Sequence, residues 1–389
     1  MKNVILKRGK EGFLSRKHPW IFSGAIHSDT KQLEDGELVR VLDINENYCA
    51  TGFFQPGSIA IRILSFDDTP INQTFWNKKI ANAIALRHAL GLISEKTSIC
   101  RLVHGEGDGL SGLIIDYYNK VAVIQAHAVG MYLSIEAINK ALQDELKNDL
   151  KAVYVKSKST LPPRVDAIDQ YIYKTCDTPH IAHENGLAFS IDWISGQKTG
   201  FFIDQRVNRQ RLASYCKGKK ILNTFCYSGA FSIYALAAEA KVVHSLDSSA
   251  KAIALVEENI TLNNFKGKHK SIIADAVKYM NQLEEDYDVI ILDPPAFAKH
   301  KNKRHQAIKA YTRINANAIR QIKPGGIIFT FSCSQVVDPF QFQKAVIAGA
   351  IQCNREVRIL EQLHQPADHP INAFHPESEY LKGLVIQVN

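Results

Sequence analysis

In the second half of this chain, short apolar runs alternate with helical stretches, and run after run closes on an acid. Residues 219–236 read KKILNTFCYSGAFSIYAL. Ile221 and Leu222 predict a strand, Ser228-Gly229 a small-residue turn, and Phe231 onward a helix. In a strand, tight loop and helix of this kind, main-chain N–H groups at the helix start can face a ligand. A nucleotide fingerprint would carry three glycines. Phe225 and Tyr227 stand where two of them would be and only Gly229 remains, so the loop alone is equally an ordinary β–α turn. The sequel changes that. Lys241-Val-Val-His-Ser-Leu is a second strand closed by Asp247, about twenty residues on, where an acid can accept bonds from ribose hydroxyls. Ser271-Ile-Ile-Ala is a third, closed by Asp275, and Asp288-Val-Ile-Ile-Leu a fourth, ending in Asp293-Pro294-Pro295. Three successive strand ends on one sheet edge thus carry an acid, which points to a nucleoside-bearing cofactor. Ile327-Ile-Phe-Thr-Phe-Ser is a fifth strand and delivers Ser332-Cys333-Ser334 to the same edge. Residues 355–363 and 381–388 supply two more.

The first half has a different rhythm. Glu37-Leu-Val-Arg-Val-Leu and Ile59-Ala-Ile-Arg-Ile-Leu alternate as half-buried strands and suggest a small β-barrel. Ahead of them, residues 1–20 hold Lys2, Lys7, Arg8, Lys10, Arg16 and Lys17 against the single acid Glu11, a basic arm running into His18-Pro-Trp-Ile-Phe. Asp67-Asp-Thr-Pro70 marks a boundary. Beyond it the spacing predicts a helix over 72–92, strands at 101–103, 113–116, 121–125 and 152–155, and a helix over 132–147, an α+β region without a catalytic constellation. Glu184-Asn185-Gly186 opens a hairpin toward SGQKTGFFIDQR, residues 195–206.

Composition narrows the class. The 389 residues suit two or three domains. No run approaches the roughly 18 apolar residues of a membrane helix, and the N-terminus lacks the apolar core of a signal peptide, so a cytoplasmic protein without membrane partners is expected. The seven cysteines (49, 100, 176, 216, 226, 333 and 353) form no C-x-x-C pair, which argues for a reducing compartment and against a zinc site, so no metal is expected. The net charge of +8 suits a polyanionic partner. The charge is concentrated between Asp293 and Asp338, where Lys299, Lys301, Lys303, Arg304, Lys309, Arg313, Arg320 and Lys323 meet no acid. On a helix Lys309, Arg313 and Arg320 fall within about 40° of one another, opposite an apolar arc of Ile308, Tyr311, Ile319 and Ile322. A solvated face is the ordinary reading of such a run; beside a cofactor edge, phosphate contacts are favoured.

Seven strands with helices between the first five is the order of a class I methyltransferase. SGQKTGFFIDQR, NTFCYSGAFS, ILDPPAFAK, FSCS and the terminal ADHP…EYLKGL resemble the bacterial 23S rRNA cytosine-C5 methyltransferases that carry an N-terminal PUA domain, and KRGKEGFLSRKHPWIFSGAI is similar to the opening of that PUA domain. The resemblance runs from end to end. It implies an α/β protein with a PUA-like RNA-binding domain over 1–70, an α+β middle domain over 71–175 and a Rossmann-like methyltransferase domain over 176–389. It implies S-adenosylmethionine as cofactor. Phe225, Tyr227, Ser228 and Gly229 would cradle its methionine part, Asp247 would take the ribose, Asp275 would lie near the adenine, and Phe201, Gln205 and Arg206 would cover it. Cys333 would be the nucleophile toward cytosine C6, with Asp293 at the N3/N4 edge of the base and at the cofactor. Cys226 is the weaker candidate. The RNA would be 23S rRNA, and the sequence leaves a homodimer open. Asp293-Pro-Pro-Ala-Phe also resembles the motif of methyltransferases acting on exocyclic amines, although Phe297 comes one residue late. Amine N-methylation is therefore the alternative, and a non-catalytic RNA-binding assembly factor the third reading.

Overall fold

A computed structural model describes every residue except Glu11 and Lys299. Its contacts divide the chain into two units. The first comprises residues 1–186, 191–203 and 367–378, the second residues 187–190, 204–366 and 379–389.

The first unit holds two five-stranded sheets. In one, Lys2–Ile5, Leu38–Leu42, Tyr48–Phe54, Ile59–Ser65 and Trp20–Phe22 lie in that spatial order. Alternate residues Val39 and Val41, Ile61 and Ile63 turn inward onto Val4, Ile21 and Phe54. Residues 2–5 are therefore an edge strand, paired in parallel with 39–42, and not a free basic arm. Charge dominates the composition there, but Val4 and Leu6 bury fully and decide the conformation. Trp20 is half-buried and donates its indole N–H toward Glu106 Oε1 at 2.9 Å and Ser111 Oγ at 3.0 Å.

The other sheet orders Ile99–His104, Leu113–Tyr118, Val121–Ala126, Ala152–Val155 and Gln170–Tyr173 side by side. Helix Gln73–Ala89 packs with helix Ile135–Leu146 around the sheet's buried face. Asn72 caps the first of these, its side chain accepting from the Phe75 N–H at 3.2 Å. The single helix expected over 132–147 is broken at Ser134 into Val129–Leu133 and Ile135–Leu146. The Ser134 hydroxyl donates back to the Gly130 carbonyl at 2.8 Å, which competes with helix propagation. Arg87, fully buried, forms a forked pair with Asp108 at 2.6 and 2.8 Å and donates to the carbonyls of Arg101 and Asp368 at 2.7 and 2.8 Å. That last bond fastens the 367–378 stretch into this unit.

The chain turns at Asn185 and Gly186, both left-handed with φ +53° and +82°, as a two-residue hairpin turn requires. The second unit is built on seven strands: β1 (Lys220–Thr224), β2 (Val242–Asp247), β3 (Lys268–Ile273), β4 (Val289–Leu292), β5 (Gly326–Ser332), β6 (Val357–His364) and β7 (Lys382–Val388). Their spatial order is β3-β2-β1-β4-β5-β7-β6, with β1 to β5 parallel and β7 antiparallel to both its neighbours. Helices cover both faces, so the central strands read as continuous apolar runs. Leu222, Ile290, Leu292, Ile328 and Ile386 face one cluster, while the residues between them, Ile221, Val289, Ile291, Phe329 and Val385, face the other. Among the described residues no helix is long and apolar enough to cross a membrane.

Candidate active site

The carboxyl ends of β1, β2, β4 and β5 bring the sequence candidates to one edge. After β1 the main chain takes an alternating course: φ is +55° at Phe225, +45° at Tyr227 and +73° at Gly229, and negative at the residues between. Left-handed backbone at a bulky residue costs about 1–2 kcal/mol, and persists only where neighbours over-determine it. They do so here. Asp247 Oδ2 accepts the Tyr227 N–H at 3.0 Å, the Leu246 carbonyl accepts the Cys226 N–H at 3.1 Å, and the Asn259 side chain donates to the Ser228 carbonyl at 2.8 Å. A Cβ at Gly229 would stand 2.9 Å from Val256 Cγ1, so the helix that follows, Ala230–Ala237, can start here only on glycine. The alternating course is that of a main-chain concavity, which binds anions and acceptor groups.

Asp247 thus shapes the loop as well as ending β2; its other oxygen accepts the Ser249 N–H at 2.9 Å. Asp275 is exposed and caps the short helix Ala276–Tyr279 through the Lys278 N–H at 2.9 Å. Cys226 is buried under the loop against Ile253 and Val256, and burial pushes its thiol well above the usual range. It is unsuited to act as a nucleophile.

Asp293 follows β4 and Cys333 follows β5, two adjacent parallel strands. Both are half-buried, and Cys333 is in no disulfide. The Cys333 loop is held from two sides. Ser334 Oγ shares a hydrogen bond with the Tyr311 hydroxyl at 3.0 Å and accepts the Ala298 N–H at 3.5 Å, linking the loops after β4 and β5. From β7, the buried Lys382 donates to the carbonyls of Ser334 and Val337, both at 2.7 Å. Burial brings its ammonium down to about 8, while negative charge at Cys333 favours its protonated form. Sequence reading gave Tyr311 only a place on the packed side of its helix and Lys382 only a place in the EYLKGL motif; a buried lysine in a last strand has no local pattern to announce it.

Gln205 and Arg206 are buried in the second unit at the start of helix Arg206–Ala213, Gln205 accepting from Asn208 at 2.6 Å. Phe201 is buried in the first unit. Helix Arg304–Gln321 buries Tyr311, Ile314 and Ile319 and exposes Lys309, Arg313 and Arg320. Lys301, Lys303 and Arg304 lie exposed at its start, whereas Arg320 lies about 24 Å further along it, away from the carboxyl edge. Lys299 is outside the described residues.

Residues 4–66 match the PUA-like domain family and residues 164–383 the S-adenosylmethionine-dependent methyltransferase family. Proteins named ribosomal RNA large subunit methyltransferase I from Shewanella frigidimarina and Aliivibrio fischeri are 37% and 35% identical, each alignment covering 99% of this chain and 99% of the relative. Two solved structures, one of a methyltransferase complexed with SAH and one of a SAM-dependent methyltransferase from Streptococcus mutans, share the fold over the full length of both chains. Their TM-scores are 0.85 and 0.84 at 22% identity.

Proposed function

We propose that this chain, which belongs to the ribosomal RNA large subunit methyltransferase I family, methylates C5 of a cytosine in 23S rRNA through a covalent bond from Cys333 to C6. The observation that carries the reading is the pairing of Cys333 with Asp293 on adjacent strand ends, in a loop that Lys382 and Tyr311 hold in place. The cofactor is S-adenosylmethionine, and the β1 loop fits it: a main chain strained into a concavity, a glycine that admits no Cβ, and an acid at the end of β2. Phe225 to Gly229 would hold its methionine part, Asp247 its ribose and Asp275 its adenine side, with Gln205 and Arg206 as its cover. When bound it supplies an electrophilic methyl group.

Cytosine C5 is a poor nucleophile, and the protein's task is to change that. The Cys333 thiolate adds to C6, forming the S–C6 bond and pushing the C5–C6 electron pair to C5, which then takes the methyl. Asp293 holds the N3/N4 edge of the base. Loss of the C5 proton returns the pair to the ring and breaks the S–C6 bond, freeing Cys333 as thiolate. The Lys382 cation stabilises that thiolate both before attack and on release. The base would leave its stack to reach Cys333, while the PUA-like domain and Lys301, Lys303, Arg304, Lys309 and Arg313 hold phosphates. Phe297, which would stack on the base in the amine reading, is instead partly buried against Tyr311, ring centroids 4.7 Å apart.

RNA containing 5-fluorocytosine tests the mechanism. Fluorine blocks the final elimination, so wild-type protein with S-adenosylmethionine should become trapped on the RNA, and Cys333→Ala should not. Robust methyl transfer to ordinary RNA by Cys333→Ala, with no wild-type adduct, would leave the amine reading in its place.

A further inference from the structure

Three ligating atoms from opposite ends of the sequence converge within the first unit. His18 Nε2 lies 3.9 Å and His375 Nε2 3.8 Å from Glu377 Oε2, and all three donors fall within 4.8 Å of one another. These separations exceed a hydrogen bond. Donors around one tetrahedral ion, with bonds of about 2.0–2.1 Å, stand about 3.3 Å apart, so the three atoms need only draw together to share one.

The two imidazoles are oriented alike. His375 Nδ1 is 2.7 Å from Ser378 Oγ, and His18 Nδ1 is 3.2 Å from the Trp20 main chain, so each ring is held through Nδ1 and offers Nε2. Metal-bound histidines are oriented in this way by a partner on the second nitrogen. The His375 ring is packed on Trp20 at a centroid distance of 4.2 Å and is 2% exposed, yet its Nε2 has no hydrogen-bond partner. An aromatic cluster alone would account for the packing of His18, Trp20 and His375. It leaves the buried Nε2 unexplained, and an orphaned buried polar atom is costly.

We propose that His18, His375 and Glu377 bind a divalent transition-metal ion of zinc's character, with water completing the shell. Two imidazoles and one carboxylate select such an ion over magnesium or calcium, which take oxygen donors. The bound ion would staple the 367–378 stretch to strand Trp20–Phe22. The cysteine spacing that argued against zinc in the sequence has no bearing on a histidine–glutamate site. Nor does the proposal depend on the methylation chemistry.

The test is titration of the full-length, chelator-stripped protein with Zn²⁺ by calorimetry, and with Co²⁺ by visible absorption. Wild type should take one equivalent, raise its melting temperature with zinc, and give tetrahedral cobalt bands without thiolate charge transfer. His375→Gln should bind at least about tenfold more weakly, since loss of a ligand exceeds the 10–100-fold cost of losing its supporting partner. Glu377→Gln, at an exposed position that folding tolerates, should weaken binding comparably, while His88→Gln on an exposed helix face should not. Absence of wild-type binding, full affinity in Glu377→Gln, or thiolate bands in the cobalt spectrum would each overturn the site.

Discussion

The Lys382 ammonium donates to the Ser334 carbonyl at 2.7 Å, so the last strand of the sheet holds the main chain one residue past Cys333. Its burial and its charge near the sulfur make it a positioning residue for the proposed nucleophile. Lys382→Met should raise the pH midpoint of Cys333 alkylation, followed by peptide mass spectrometry. A one-unit rise leaves about tenfold less thiolate at neutral pH and a comparable fall in kcat. The wild-type profile should itself bend near pH 8, where the lysine loses its charge.

Gly229→Ala should abolish cofactor binding by calorimetry and cost about 1–3 kcal/mol in stability. It strains a left-handed position with φ +73° and drives a methyl toward Val256.

Arg87→Ala strands the Asp108 carboxylate, which is only 6% exposed. Removing one member of such a buried pair costs about 3–5 kcal/mol, which urea denaturation should register as a lower midpoint. Replacing both residues with apolar ones should recover part of that loss.

Much of the candidate edge was legible because the central strands of the second unit are short, largely buried runs bounded by Asp247, Asp293-Pro-Pro or Lys323-Pro-Gly-Gly. Burial on both faces of a parallel sheet makes such runs plain. Tyr48–Phe54 escaped notice because YCATGFF has no alternation. Its Gly52 is demanded by a neighbouring strand, the Arg62 carbonyl lying 2.4 Å from where a Cβ would stand, and only the folded chain shows that. Asp247's grip on Tyr227 and the bonds of Lys382 were hidden for the same reason: they join residues whose separation in sequence carries no period.

His269 on β3 meets Ser245 Oγ at 2.8 Å, and burial, with His244 nearby, holds it down to about 4 against an ordinary 6.5. The folded protein therefore stays neutral there while the unfolded chain takes up a proton. Stability should be full above pH 6.5 and fall as pH drops toward 4. Melting curves of His269→Gln should be flatter over that interval than those of wild type.

Lys303→Gln combined with Arg304→Gln should make the salt dependence of RNA affinity shallower by about 1–2 in the log–log slope. Arg320→Gln, at the far end of the same helix, should leave it unchanged.

The antiparallel β7 also sets an order of assembly. β6 is synthesised before β7, yet its one neighbour in the sheet is β7, which alone joins it to β5. β6 therefore joins the sheet only when β7 slides between it and β5. Closure of this edge is a long-range, slow event. The Cys333 loop gains its lysine clamp only then, so a folding chain already holding every strand-end acid would still lack a finished candidate site.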